Sequence, residues 1–567
     1  MLLEALGNFF ASVFVSEPHF VTPNLQPRTC HSSFRDPVFN EQIILEKLNN
    51  LKVAKSPGPD NLHPRILYEL RHQLILPLKI LFNTSYNLNQ LPSDWKTGYV
   101  TAIFKKGNRC DPSNYRPISL TSIICKIMES IIRDHIMKFF FDNNYFSKNQ
   151  YGFIKGRSTV LQLLCIMDEW TTILDSGAQV DAIYTDFAKA FDTVPHQRLL
   201  SKLKSYNIND KLLAWIQNFL CDRKQSICVN GEFSTWSKVT RGIPQGSILG
   251  PLLFLIYIND MPDLCNQQDA CTRTYLYADD AKIYRVINQI SDQADLQAVV
   301  NTVKNWSDEW LLRLNIDKCK TVSYYVKNPI CTQYHITHEN NTHILDKLDS
   351  VNDLGVIFDS NLSFRDHISH KINKAYSILG IIKRNFIYMD HTSFLLLYKS
   401  MVRPHLEYAN SVWCPYQKRD ITEIEKVQKR ATKLVISLKN LSYIDRLSRL
   451  KLPTLKYRRL RGDMIEVFKI THDLYDPDVS LNLAYHSGTI TRGNKYKLIN
   501  HRFHYDLRKY YFSARIVNIW NSLPNRVVDL NSVNVFKARL HRFWMDQDVK
   551  FDFTADLTGT GDRSVNV

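Results

Sequence analysis

The stretches YTDFAKAFD (Tyr184–Asp192) and YADD (Tyr277–Asp280) decide how this chain reads. Each sets an Asp at the end of an apolar, strand-like run. Val180–Phe187 is largely apolar and reaches Asp186 just before a helical stretch. Tyr275–Ala278 leads into Asp279 and Asp280. Ala281–Val286 leads away, with Ile283 and Arg285 alternating against Lys282 and Tyr284. That pattern is a β-hairpin with two carboxylates at its tip. Carboxylates arriving from two distant segments suit a pair of divalent cations, because ions roughly 3.5–4 Å apart share oxygen ligands that one stretch of chain rarely supplies. An Asp-Asp pair in a turn is more often turn chemistry alone, since Asp accepts backbone amides and tolerates bent conformations. The rest of the sequence has to choose between the two.

The chain has 567 residues, enough for several domains or one multi-lobed enzyme. Its 44% hydrophobic content is that of a globular protein, which argues against extensive disorder. The net charge of +17 calls for a polyanionic partner, and Lys and Arg contacts to phosphate are the sequence-independent source of nucleic-acid affinity. Aromatics at 12% leave rings to stack on bases, although most belong in a core. The 11 cysteines are scattered without a CxxC pair, which excludes a disulfide framework or zinc knuckle and implies an intracellular protein. The N-terminal MLLEALGNFFASVFV carries Glu4 and lacks a basic head. It reads as an amphipathic helix packed on the body, not a signal peptide. No run of about 18 apolar residues exists, so no membrane span is expected.

Along the chain, helices are expected over 40–51 and over 66–88, the latter as a hairpin broken at Pro77. Gly98–Phe104 reads as a strand and Lys105–Arg109 as a basic loop. Tyr115–Leu120 (YRPISL) opens an ordered element before a helix at 123–139. Ser226–Val229 and Glu232–Ser234 flank an Asn-Gly pair and form a hairpin. RGIPQGSILGPLLFLIYIND (Arg241–Asp260) is a Gly/Pro loop feeding an apolar helix. Beyond about residue 365 helices dominate. The clearest is expected over 420–435, capped by Asp420 with Glu423 three residues on, burying Ile421, Ile424, Val427, Ala431 and Leu434. Its other face holds Lys426, Lys429, Arg430 and Lys433, a solvated face by default and a nucleic-acid contact in so basic a chain.

Basic loop, Arg, strand Asp, Gly-rich loop, YADD and Lys-containing turn occur in an order that resembles the reverse transcriptases of non-LTR (LINE-like) retrotransposons, close to the jockey and CR1 groups. The likeness runs from about residue 40 to at least 400. It implies an α+β right-hand polymerase. An N-terminal docking segment (1–50) would precede fingers (51–165), a palm on an antiparallel sheet (166–360), a helical thumb (361–470) and a basic C-terminal region (471–567). By the same resemblance Asp186, Asp279 and Asp280, with the backbone carbonyl of Phe187, would hold two Mg²⁺ ions, which Mn²⁺ could replace. Lys105, Lys106 and Arg116 would grip the triphosphate, with either lysine a candidate for the closer contact. Phe191 would lie beneath the sugar and exclude a 2′-hydroxyl. Gln245 and Gly246 would form the template and nucleotide platform, where Gly242 and Gly246 let backbone approach the base pair. Lys320 would protonate the leaving pyrophosphate, with Lys318 as competitor. LGVIFD (Leu354–Asp359) matches the primer-holding hairpin. Asp192 and His196 read as turn and helix-capping residues.

The implied activity is RNA-directed DNA synthesis, a nucleotidyl transfer from dNTPs to a primer 3′-hydroxyl, which in the parent element is nicked target DNA. The setting would be the nucleus and/or a cytoplasmic ribonucleoprotein. The rival class is a catalytically silent, decayed or domesticated RNA-binding protein. A third reading is an intron-type reverse transcriptase, which shares YRPISL and the acidic hairpin. Intact Asp186, Asp279 and Asp280 favour an enzyme, and AFDTVPH and LGVIFD favour the LINE-like side. About 50 residues precede the matching blocks, too few for the endonuclease domain of full-length elements. YFSARIVNIWNSLP (Tyr511–Pro524) resembles their C-terminal region, without a chemistry of its own.

Overall fold

The computed structural model describes residues 2–14, 23, 25–339, 341–486, 494–500 and 502–560. The protein is a mixed α+β structure with two five-stranded sheets among many helices.

The first sheet contains β1 (Thr97–Phe104), β2 (Tyr115–Leu120), β4 (Arg223–Val229), β5 (Glu232–Phe233) and β6 (Ser237–Val239). β1 pairs antiparallel with β2 and parallel with β4, while β5 and β6 add to β4 as antiparallel neighbours. The Asn230-Gly231 turn forms as the sequence requires, both residues having positive φ. Residues 223–239 therefore join a sheet whose other strands lie a hundred residues earlier. One face is covered by the N-terminal helix Leu2–Ala11, whose Leu6 and Phe10 pack on Val100 and Ile227. The amphipathic reading of this segment holds over the described residues, and Met1 and Val15 lie outside them.

The second sheet is built from β3 (Gln179–Thr185), β7 (Arg273–Tyr277), β8 (Asp280–Ile287) and β9 (Lys320–Tyr324), with the short strand Asp346–Lys347 at one edge. β3 lies between β8 and β9, antiparallel to both. Its side chains alternate between two cores. Val180 and Ala182 join Tyr284, Val322 and Tyr324 in one, whereas Ile183 joins Leu276, Ala281 and Ile283 in the other. Burial on both faces explains why this strand reads as a nearly continuous apolar run. The polar groups it buries are paired. Asp181 accepts from Gln179, Thr332 and Tyr334 at 2.6–2.8 Å, and Lys282 forms a buried ion pair with Asp353.

The described residues beyond 365 are helical apart from connections, and they share one core with the helix Thr159–Asp175 beneath the second sheet. The YFSARIVNIWNSLP segment forms the helix Phe512–Asn521, with Phe512, Ile516, Val517 and Trp520 buried. Tyr511 donates to the Leu164 carbonyl at 2.5 Å, tying that segment to the helix under the sheet.

Two helix boundaries differ from the sequence reading. The expected break at Pro77 falls instead at Leu70, between helices Pro64–Glu69 and Arg71–Leu88. Pro77 sits on the exposed side, where water can satisfy the carbonyl its missing N–H leaves free. The basic helix runs Lys418–Ala431, with a 3-10 turn at Thr432–Leu434, and Asp420 does not cap it. Gln417 holds the cap position, and Asp420 lies in the first turn, where a carboxylate complements the helix dipole. All 11 cysteines are free. Among the described residues no helix is long and apolar enough to cross a membrane.

Candidate functional site

Asp186 follows directly on β3. Its backbone carbonyl accepts from Asn315 N–H at 2.7 Å, and Ala188 N–H donates to the Arg313 carbonyl at 2.8 Å. These two bonds clamp Phe187 opposite Leu314 and use neither the Phe187 N–H nor its carbonyl. Tyr277 and Asp280 are paired residues of β7 and β8, so Ala278 and Asp279 form a two-residue turn beside the end of β3. Ala278 has φ +56°, a left-handed conformation that costs a residue with a Cβ roughly 1–2 kcal/mol. Gln150 holds it there. Its Oε1 accepts from Ala278 N–H at 2.8 Å and its Nε2 donates to the Ala278 carbonyl at 3.4 Å.

The three aspartates converge electrostatically. Burial, then the charge of Asp186, pushes the Asp279 carboxyl up, against the pull of Arg116 and Lys105. Asp280 is pushed up to about 6 by desolvation, then by Asp279, Asp353 and Asp186. The Asp280 residue keeps over a third of its surface open, so water screens part of this effect, but the like charges around it fix the direction. Asp186 Oδ2 accepts from Lys318 Nζ at 3.0 Å, whereas no salt bridge forms at Asp279 or Asp280 among the described residues. Also among those residues, no group of three or more His, Cys, Asp or Glu side chains is drawn close enough to hold a metal ion. A cluster of mutually repelling carboxylates with so little cationic compensation nevertheless has the donor chemistry for a divalent cation.

The cationic candidates separate. Lys105 is depressed by desolvation and then by Arg116 and Lys318, while Asp192 and Asp186 pull it upward, which places it among the site's charges. Lys106 follows it, exposed, in the bend at 106–107. Arg116 lies on β2 opposite Ile103, with its charge acting on Asp279. Of the competing lysines, Lys318 reaches Asp186, while Lys320 is held by Asp346 at 2.6 Å and by the Asp317 carbonyl. Lys320 thus has an acidic partner outside the Asp186–Asp280 set, because the strand Asp346–Lys347 pairs alongside it.

The Gly/Pro loop packs close by. Gly246 (φ +119°) lies so near the Ser119 carbonyl that a Cβ would stand 2.4 Å from it, and at Gly242 (φ +79°) a Cβ would meet the Asp192 carbonyl at 2.5 Å. Both glycines let the chain's own backbone pack this closely. Gln245 donates to Asp192 at 2.7 Å, and its carbonyl accepts Ser119 N–H at the same distance. His196 bonds the Gly242 carbonyl at 2.8 Å. Asp192 and His196 therefore brace the loop and do not cap a helix. The helix His196–Ser205 has Pro195 at its cap. Phe191 stacks on Phe254 with ring centroids 4.4 Å apart and stays half-buried beside this loop. Glu129, missed in the sequence because it sits in an apolar helix, accepts the N–H groups of Ile248 and Leu249 and anchors the helix that follows.

The open face of the first sheet carries Thr97, Tyr99, Thr101 and Ile103 from β1, with Arg116 beside Ile103. Tyr99 packs against Phe233 and Trp236 at 4.5 and 5.8 Å, and those two rings remain 51% and 49% exposed. Lys224 and Lys238 are directly opposite each other on the same face, both exposed.

Of the helical basic set, Lys426 pairs with Glu423 at 2.6 Å and Arg430 lies over the Tyr376 ring, while Lys429 and Lys433 are exposed. In LGVIFD, Val356 and Phe358 are core residues. The turn at Leu354-Gly355 is held by Tyr408, whose hydroxyl donates to the Leu354 carbonyl at 2.7 Å.

This arrangement, a carboxylate hairpin beside a strand-end Asp and faced by Arg and Lys, defines a class. Residues 103–358 match the family model for "Reverse transcriptase (RNA-dependent DNA polymerase)". More particularly, the chain is similar to the "RNA-directed DNA polymerase from mobile element jockey" of Drosophila funebris, 30% identical over 438 residues, covering 74% of this chain and 46% of that protein. It is 27% identical over 403 residues to the "Probable RNA-directed DNA polymerase from transposon X-element" of Drosophila melanogaster, covering 70% and 43%. The same organism's "Probable RNA-directed DNA polymerase from transposon BS" is 27% identical over 412 residues, covering 70% and 44%. The chain spans less than half the length of these relatives. The resemblance to jockey-type, non-LTR enzymes holds.

Proposed function

We propose that this protein is an RNA-directed DNA polymerase of a non-LTR retrotransposon, extending a primer 3′-hydroxyl with dNTPs on an RNA template. The observation that carries the reading is the convergence of Asp186, Asp279 and Asp280 at the end of the second sheet, opposite Arg116 and Lys105. In this reading the second sheet is the palm, the first sheet with its helices the fingers, and the helices after 361 the thumb.

The carboxylates of Asp186, Asp279 and Asp280 and the carbonyl of Phe187 would hold two Mg²⁺ ions, or Mn²⁺ in their place. Such ions lower the pKa of the attacking hydroxyl and neutralise the triphosphate. Arg116 binds phosphate oxygens with its two-pronged donor, and Lys105, better than Lys106, adds a second positive charge. Phe191, backed by Phe254, offers a rigid ring beneath the deoxyribose. Gln245 and Gly246 shape the floor under the nascent pair. Lys318, at 3.0 Å from Asp186, suits proton delivery to the pyrophosphate better than Lys320.

The open sheet face supports an RNA partner. Like charges directly opposite across a sheet destabilise it, so Lys224 and Lys238 gain from a phosphate backbone between them, and half-exposed rings beside them suit base stacking. The rings lie about 13 Å along β1 from the level of Arg116. That is the course an unpaired template would take toward the site. Lys429, Arg430 and Lys433, with Lys426, would contact the duplex behind it. The reading implies action in the nucleus and/or a cytoplasmic ribonucleoprotein.

The test is primer extension by purified protein on an RNA template. Asp279→Ala should lower incorporation about a thousand-fold or more, on the scale expected when a metal-holding charge is removed. No incorporation by the unmodified protein would favour the silent RNA-binding alternative.

A further inference from the structure

The segment after the helix Leu455–Thr471 had no function in the sequence, yet it reaches the carboxylate turn by an unbroken run of hydrogen bonds. Asp476 accepts from Arg157 Nε at 2.8 Å, and its N–H donates to the Gly156 carbonyl at 3.0 Å. Arg157 in turn donates from Nη1 to the carbonyls of Ser147 and Gln150 at 2.7 and 2.6 Å. Tyr151 adds a second tie, its hydroxyl donating to the Val479 carbonyl at 3.1 Å. The backbone so held pairs with β7. Leu276 N–H donates to the Asn149 carbonyl and Tyr151 N–H to the Leu276 carbonyl, both at 2.8 Å. Gln150, 1% exposed, closes the path by gripping both backbone groups of Ala278. Two glycines make the fit possible. A Cβ at Gly152 would stand 2.5 Å from Ala278 N, and at Gly156 (φ +83°) 3.0 Å from Asp476 N.

The conformation being held is a left-handed alanine, which a chain does not keep without support. Its direction sets the aim of Asp279. We infer that Asp476 is a positioning residue of the polymerase site. It acts through Arg157 and Gln150 to hold the Ala278-Asp279 turn, so the C-terminal region is a working part of the site. This inference rests on the reading of Asp279 as a catalytic carboxylate.

The test uses the full chain and two readouts. In hydrogen exchange, Asp476→Asn should speed exchange in peptides covering 276–280 at least about ten-fold while leaving those of 180–185 unchanged, since local opening and global unfolding separate in this measurement. In primer extension, Asp476→Asn and Gln150→Ala should each lower kcat about ten-fold or more with KM for dNTP little changed. The double variant should be no worse than Gln150→Ala alone, because both act along one path. Arg157→Lys, which keeps the charge but loses the bonds to the two carbonyls, should behave like Asp476→Asn and guards against a variant that fails to fold. Multiplying losses, or exchange unchanged at 276–280, would overturn the inference. Full activity of Asp279→Ala would instead sink the catalytic reading while leaving the exchange result intact.

Discussion

The sheet of β3, β7, β8 and β9 is buried on both faces, whereas the sheet of β1, β2, β4, β5 and β6 is covered on one face by the N-terminal helix and open on the other. The first arrangement fixes charge. Asp186 and Asp279 sit at the ends of strands whose neighbours cannot shift without opening a core, and even the ion pair inside, Lys282 with Asp353, is 3% and 5% exposed at its side chains. The second arrangement offers contact. Its exposed rings and opposed lysines contribute little to its own stability and are free to meet a ligand. The polymerase site proposed above needs both behaviours, rigid carboxylates and an adaptable surface, and each would have its own sheet.

The contrast is broken most directly at Lys282. Lys282→Met leaves the Asp353 carboxylate buried and unpaired, a loss of about 3–5 kcal/mol that should lower the melting temperature by several degrees. Lys224→Met, in the open sheet, should leave it within about a degree. Equal shifts would mean the sheets do not differ as described. Next in size, Phe233→Ala with Trp236→Ala should weaken binding of RNA templates carrying a long 5′ overhang about ten-fold, with short overhangs unaffected. Equilibrium binding read by anisotropy checks this, and equal loss on both templates would remove the rings from the template path. A smaller effect is expected at the basic helix Lys418–Ala431. Lys429→Glu should weaken duplex binding and flatten its dependence on salt by about one counterion, and an unchanged slope would leave that face merely solvated.

The smallest effect concerns pH. Asp280 is raised in the fold from 3.8 to about 6, so it binds its proton more tightly there than in the unfolded chain. Its favourable contribution is full below pH 3.8 and is lost as pH rises through about 6. Asp280→Asn should therefore raise the melting temperature modestly above pH 6 and leave it unchanged below pH 4. Thermal melts across that range, without divalent cations, would show a gain at every pH if the repulsion is not the cause.

Much of the site was legible because its chemistry is written in short runs. An apolar strand ending in Asp186, a hairpin tipped by Asp279 and Asp280, and a loop rich in Gly and Pro each carry their meaning locally. Elsewhere a neighbour decides. Lys318 and Lys320 are equivalent in sequence, and the pairing of Asp346–Lys347 with β9 gives Lys320 an acidic partner of its own. Pro77 looked like a break, but its exposed position leaves the helix intact. Asp192 and His196 looked like caps and turned out to brace the glycine loop. Gln150, Gly152 and Asp476 gave almost no signal, because each matters only through a partner far away in the chain.

By itself the sequence determined which residues carry charge and which strands present them, since alternation and turn chemistry act over a few residues. Only the tertiary structure decided how those carboxylates are aimed. A left-handed turn at Ala278 is stable only with partners on both sides, and those partners, from Gln150 to Asp476, are brought together by a core whose members run from Tyr151 to Val549.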